Sequence, residues 1–160
     1  MVAGTASQES SLDRPSRSYS GIVPGVGKDK RTTPKRKLLI IDDDRAFVVL
    51  AAAILRDAGF MVLEAHDAMQ GYMYAQQDPP AIILLDMQMP AGGGMNLLER
   101  VRTIPRLSRI PIIVVTASTD EGIEETVRAK GAMDILRKPV DRDQLVSMVN
   151  SIVESTSPKS

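Results

Sequence analysis

The sequence has no cysteine, which excludes disulfides and thiolate metal centres. It has one histidine, His66, so a histidine-rich metal site is excluded as well. No apolar run approaches the roughly 18 residues that a membrane-spanning helix needs. The opening residues, Met-Val-Ala-Gly-Thr-Ala-Ser-Gln-Glu, lack the basic and then apolar regions of a secretory leader. The expected location is therefore cytoplasmic. Net charge is missing too, since 20 Lys and Arg balance 20 Asp and Glu. That balance hides an uneven distribution. Residues 1–36 hold seven basic against three acidic side chains, and residues 37–155 hold twelve against seventeen. The longer segment is acidic, and direct nucleic-acid binding by it is not expected.

A length of 160 residues suits one domain with an adequate core. Residues 1–36 are rich in Ser, Gly, Pro and Arg with hardly any apolar cluster, and they read as a disordered tail. Its last part, Lys28 to Lys37, is strongly basic. It reads as a solvated linker, or as a contact for anionic lipid, nucleic acid or an acidic partner. Residues 37–154 form the predicted domain, and 155–160 a second short disordered tail.

Within 37–154 apolar runs alternate with amphipathic stretches and short turns, which predicts an α/β fold built on a parallel sheet. Phe47, Leu50, Ala51, Ile54, Leu55 and Ala58 follow helical spacing, and Gly59 closes that helix. Residues 60–65 predict the second strand. Asp67 predicts an N-cap for a helix carrying Ala68, Gly71, Tyr72 and Ala75 on one face, stopped by Pro79-Pro80. Leu97, Leu98 and Val101 mark a third helix; Leu145, Met148, Val149, Ile152 and Val153 mark a fifth. The fourth, between Asp120 and Ala129, has only Ile123 and Val127 as apolar anchors, which predicts a loosely held element. His66 reads as a surface residue before the second helix, and the nine methionines mostly as core filler.

The chemistry sits at strand ends. Leu38-Leu39-Ile40-Ile41 leads to Asp42-Asp43-Asp44, and Ala81-Ile82-Ile83-Leu84-Leu85 to Asp86. Ile112-Ile113-Val114-Val115 leads to Thr116, and Ile135-Leu136, through Arg137, to Lys138. In an open parallel sheet the carboxyl ends of the strands share one edge, where ligands bind. Carboxylates brought within a few ångströms of one another retain a proton or gather a cation. An oxygen-only donor set of this kind suits Mg²⁺. Asp44, which opens the turn into the first helix, reads as a cap rather than a ligand.

These residues resemble the receiver domain of bacterial response regulators, in the single-domain chemotaxis type. The likeness runs from about Lys37 to Val153. It rests on Ile-Ile-Asp42-Asp43-Asp44, on Leu-Leu-Asp86-Met-Gln-Met89-Pro90-Ala-Gly-Gly-Gly94, on Val-Val-Thr116-Ala117 and on Lys138-Pro139. The resemblance implies a doubly wound, flavodoxin-like (βα)5 fold with strand order 2-1-3-4-5. It implies Mg²⁺ held by Asp43, Asp86 and the main-chain carbonyl of Gln88, with Asp42 acting mainly through water. Asp86 would be the phosphoacceptor, since a carboxylate can attack phosphorus to give an aspartyl phosphate. Lys138 would pair with that carboxylate beforehand and with phosphoryl oxygens afterwards. The Thr116 hydroxyl would move toward the phosphoryl group, and the Lys138-Pro139 bond would be cis. Departures from the family pattern lie at Ile135, where an aromatic switch residue is common, at Val140, and at Gly93-Gly94 in place of Asp-Gly.

The function so implied is a phosphoacceptor signalling module of a two-component or phosphorelay system, not an enzyme beyond its own phosphorylation and dephosphorylation. A histidine kinase or phosphotransfer protein would donate. The face of the fourth helix, fifth strand and fifth helix would bind a downstream protein, or a second copy as a homodimer. Two alternatives stay open at this point. Asp42-x-Asp44 also resembles the opening motif of haloacid-dehalogenase-type phosphohydrolases, with Asp42 as nucleophile. A receiver-like docking domain independent of phosphate is the other.

Overall fold

The computed structural model describes residues 35–158. The expectation of a disordered tail at residues 1–34 lies outside them. The described part contains strands β1 (Lys37–Ile41), β2 (Met61–Ala65), β3 (Ile82–Asp86), β4 (Ile112–Thr116) and β5 (Asp134–Arg137). Between them run helices α1 (Arg45–Asp57), α2 (Ala68–Gln77), α3 (Gly93–Thr103), α4 (Gly122–Ala129) and α5 (Arg142–Thr156). A single 3₁₀ turn, Pro90–Gly92, precedes α3.

All strand pairs are parallel, in the order β2-β1-β3-β4-β5. Period-two alternation sends successive side chains to opposite faces. Leu38, Ile40, Ile82, Leu84, Ile113 and Val115 pack with α1 and α5. Leu39, Ile41, Ile83, Leu85, Ile112 and Val114 pack with α2, α3 and α4. Helices cover both faces, so the central strands read as unbroken apolar runs instead of alternating with polar residues.

The helix ends follow from local chemistry. Asp44, Asp67 and Asp141 each accept a hydrogen bond from a main-chain N–H of the first turn, those of Phe47, Gln70 and Gln144. Gly59, at φ +103°, supplies the left-handed residue after α1. The Lys138-Pro139 bond is cis, as expected.

Four expectations need correction. Leu50 is 58% exposed, because the buried stripe of α1 runs through Val48, Ala51, Ala52 and Leu55 and leaves Leu50 on its flank. His66 is partly buried, and its Nδ1 is enclosed without a hydrogen-bond partner. Met61, Met69, Met73 and Met133 are exposed, and only Met87 and Met89 are buried core methionines among the described residues. At the chain ends, α5 continues through Thr156, past the expected domain boundary at 154. Arg36 is fastened there as well, donating to the Val153 carbonyl and to Ser157 Oγ.

Candidate phosphoacceptor site

Strands β1, β3, β4 and β5 each deliver a polar residue to the carboxyl edge of the sheet, and β1 and β3 are direct neighbours, with Ile41 opposite Leu85. Asp42, just past β1, and Asp86, the last residue of β3, therefore end side by side. Oxygens of Asp42, Asp43 and Asp86 all lie within 4.8 Å of one another. Asp42 and Asp86 are 1% and 4% exposed, while Asp43 is open to solvent.

The carboxylate of Asp86 is pushed up from its ordinary 3.8 to about 6. Burial is the largest cause, and the charge of Asp42 and a side-chain hydrogen bond with it act in the same direction. The Gln88 main-chain N–H, donating to Asp86 Oδ1 at 3.0 Å, and the charge of Lys138 pull the other way. The backbone under Asp86 is held from α3. A Cβ on Gly94 would stand 2.2 Å from the Asp86 carbonyl oxygen, so α3 can start this close to the end of β3 only with glycine there.

Lys138 reaches the site from the turn after β5. Its Nζ lies 2.8 Å from Asp42 Oδ2 and 3.8 Å from Asp44 Oδ2, and 4.5 Å from the centre of the Phe47 ring. The expected pairing with Asp86 is thus corrected: the ammonium is bound to Asp42, leaving Asp43 and Asp86 as the carboxylates without a cation. The same ammonium sits over the Phe47 ring, a cation–π contact made together with the Asp42 pair. Thr116 is fully buried, and its Oγ1 accepts from the Ser118 N–H at 3.0 Å.

Two contacts were not legible in the sequence. The Gln88 carboxamide oxygen accepts from the Ala117 N–H at 2.9 Å. Arg137, which the spacing treated only as a step toward Lys138, donates to the Ser118 carbonyl. Both depend on how two loops meet, and no residue pattern announces that. Beside Lys138 a groove of about 530 Å³ runs along α1, lined by Phe47, Leu50, Ile54, Val140 and Leu145.

A family model for the response regulator receiver domain matches residues 38–150. The chain belongs to the response regulator receiver family. It is 31% identical over 117 residues to protein PilH of Pseudomonas aeruginosa, covering 73% of this chain and 97% of that protein. It is 33% identical over 122 residues to RpaA of Synechocystis sp., named as a DNA-binding dual master transcriptional regulator. That match covers 75% of this chain and 50% of RpaA, so the chain spans about half the length of some curated relatives and nearly all of others. The solved structure of the chemotaxis response regulator CheY4 of Vibrio cholerae superposes with a TM-score of 0.70 at 26% identity. It covers 74% of this chain and 99% of that one. The order β2-β1-β3-β4-β5 read as a receiver-like doubly wound fold is therefore shown. The chain is a receiver domain of the two-component type, a signalling module, and the matched stretch contains the acidic cluster of Asp42, Asp43 and Asp86. None of its described helices is long and apolar enough to cross a membrane.

Proposed function

We propose that Asp86 accepts a phosphoryl group from the phosphohistidine of a kinase or phosphotransfer protein, in the cytoplasm where such a donor works. Occupancy of Asp86 then changes the face formed by α4, β5 and α5 for a downstream protein or a second copy. The observation carrying this reading is the convergence of Asp42, Asp43 and Asp86 within 4.8 Å, beside a lysine, at one sheet edge.

The donor set is oxygen-only and anionic, with one open carboxylate, which fits a hard divalent cation. Asp43, Asp86 and the main-chain carbonyl of Gln88 would hold Mg²⁺, with Asp42 acting mainly through water. When bound, Mg²⁺ supplies positive charge to the phosphoryl oxygens. An Asp86 Oδ forms the bond to phosphorus while the phosphohistidine P–N bond breaks, and the imidazole nitrogen leaves with the electron pair and takes up a proton. Lys138 offsets negative charge as the group arrives, which requires its ammonium to extend from Asp42 toward the transferred oxygens. Thr116 Oγ1 gives up its bond from Ser118 and donates to a phosphoryl oxygen. The module then promotes only its own phosphorylation and dephosphorylation.

Asp42 is the poorer nucleophile of the two, because its carboxylate is ion-paired with Lys138. Incubation with Mg²⁺ and acetyl phosphate, followed by mass mapping of the base-labile phosphoryl, tests the reading. Label is expected at Asp86 and absent in Asp86→Asn. Label at Asp42 with turnover of phosphomonoesters would favour the phosphohydrolase reading. Absence of label with intact partner binding would favour a docking domain.

A further inference from the structure

The amino edge of the sheet, at the far end from Asp86, carries a second charged feature. The Ala81 N–H donates to the Lys37 carbonyl at 2.9 Å, and the Ile83 N–H to the Pro111 carbonyl at 3.0 Å. These bonds hold the start of β3 against the entries of β1 and β4. A pocket of about 290 Å³ opens there, beside the end of α5. The whole of β3, roughly 15 Å at the usual strand rise, separates it from Asp86.

Arg36, Arg106 and Arg109 line this pocket, and no acidic side chain does. Such a concentration of one sign runs against the rest of the domain, since residues 37–155 hold twelve basic against seventeen acidic side chains. The carboxylate of Asp78, in the turn before β3, is taken by Lys37. Arg36 also belongs to the basic run from Lys28 to Lys37, a stretch with no part in the chemistry at Asp86. Two of the guanidiniums are held from behind. Arg36 donates through Nη1 to the Val153 carbonyl and to Ser157 Oγ, and Arg106 through Nη1 to the Gln76 carbonyl at 2.8 Å. Nε and Nη2 of both, and the exposed guanidinium of Arg109, keep their donors open among the described residues. Pro80, Pro111 and Pro158 stiffen the wall, so little backbone freedom is lost when a ligand enters.

We propose that this pocket binds the phosphate groups of a small soluble di- or triphosphate ester, independently of the phosphoryl chemistry at Asp86. Donor count and charge select the ligand. One planar guanidinium already engages both oxygens of a carboxylate and offsets its single charge. Three guanidiniums call for more oxygens and several negative charges, and a pyrophosphate unit has both. No aromatic side chain lines the pocket, so a nucleic-acid strand would find no surface on which to stack its bases. Because Arg36 is bonded to the end of α5, an anion bridging Arg36 and Arg106 ties the entry of β1 and the loop before β4 to that helix end.

The test titrates the full chain, ¹⁵N-labelled, with inorganic pyrophosphate in EDTA, so that no cation bridges the anion to the acidic corner. Saturating amide shifts are expected at Arg36, Ala81, Arg106, Arg109 and Ser157, with Asp86 and Thr116 unmoved and Tm raised. Arg106→Gln/Arg109→Gln should weaken binding about 10-fold or more. Arg45→Gln, at the opposite edge, should leave it within about 2-fold. Arg106 and Arg109 are exposed, and the ligand-free amide spectrum checks that the double variant folds. If it does not, Arg109→Gln alone should still weaken binding about 3-fold or more. No saturable shift by about 10 mM pyrophosphate overturns the proposal, as do shifts centred on Asp42 and Lys138. Citrate binding as tightly as pyrophosphate overturns the choice of phosphate over carboxylate. Co-sedimentation with phosphatidic acid vesicles without pyrophosphate binding would make the ligand a lipid headgroup and overturn the soluble one.

Discussion

Replacing Asp86 by asparagine is expected to make the metal-free fold more stable while abolishing its phosphorylation. The carboxyl is pushed up from 3.8 to about 6, chiefly by burial, so the native state holds this proton more tightly than the unfolded chain does. The sign follows from linkage. A group whose pKa rises on folding favours the native state fully only below its unfolded value, and that advantage is lost as pH climbs through the native value. The difference between 3.8 and about 6 corresponds to about 3 kcal/mol as a ceiling. Asparagine is close in shape, keeps an oxygen for the Gln88 N–H, and never ionises. Urea unfolding in EDTA from pH 3.5 to 8 should therefore show Asp86→Asn and wild type nearly equal near pH 4. The gap should open between about pH 4 and 6, and the variant should be about 1–3 kcal/mol more stable above that. Added Mg²⁺ should narrow the gap by stabilising wild type at neutral pH, since a ligand that binds only the native state raises its stability. A variant less stable than wild type at pH 7, or a gap independent of pH, would refute the reasoning.

Gly94→Ala is expected to cost about 1–3 kcal/mol and to slow labelling of Asp86, because the new Cβ meets the Asp86 carbonyl at 2.2 Å; urea unfolding and acetyl phosphate labelling check both. Lys138→Met should destabilise by about 2–4 kcal/mol at pH 7, since it strands the buried carboxylate of Asp42. It should also widen the Asp86→Asn gap and carry the upper end of its pH window above about 6, leaving the onset near pH 4 unchanged, because the lysine charge is one of the influences holding Asp86 down. Arg102→Ala should cost about 2–4 kcal/mol without changing the labelling rate, as that guanidinium ties the carbonyls of Ser108, Ile110 and Gly131 together far from the acceptor. Loss of labelling at unchanged stability would contradict the last expectation.

The strands and the acidic side chains at their ends were readable because both rest on short-range rules. A strand covered on both faces must be apolar throughout, so Ile82 to Leu85 and Ile112 to Val115 stood out. The polar residue that ends each run necessarily sits at the shared edge. The face of α1 was misjudged at Leu50 because helical spacing tolerates a flank on either side, and only packing against α5 and β1 chooses Val48. The partner of Lys138 was misassigned for a similar reason. Sequence order names the lysine and the carboxylates, but only the three-dimensional geometry shows that the ammonium pairs with Asp42 while sitting over the Phe47 ring. His66 followed the same pattern, being polar, isolated and yet partly enclosed. The side-chain role of Gln88 arises where two loops converge, and such meetings leave no periodic trace.

The slender attachment of α4 has a consequence for diversification. With Val127 as its one buried side chain, this helix contributes little to the cohesion of the domain. Its outward residues can be rewritten wholesale, while the acidic corner of Asp42, Asp43 and Asp86 and the hydrophobic layers stay as they are. A library confined to Glu121, Glu124, Glu125, Arg128 and Ala129 would explore new recognition specificities on an unaltered chemical engine.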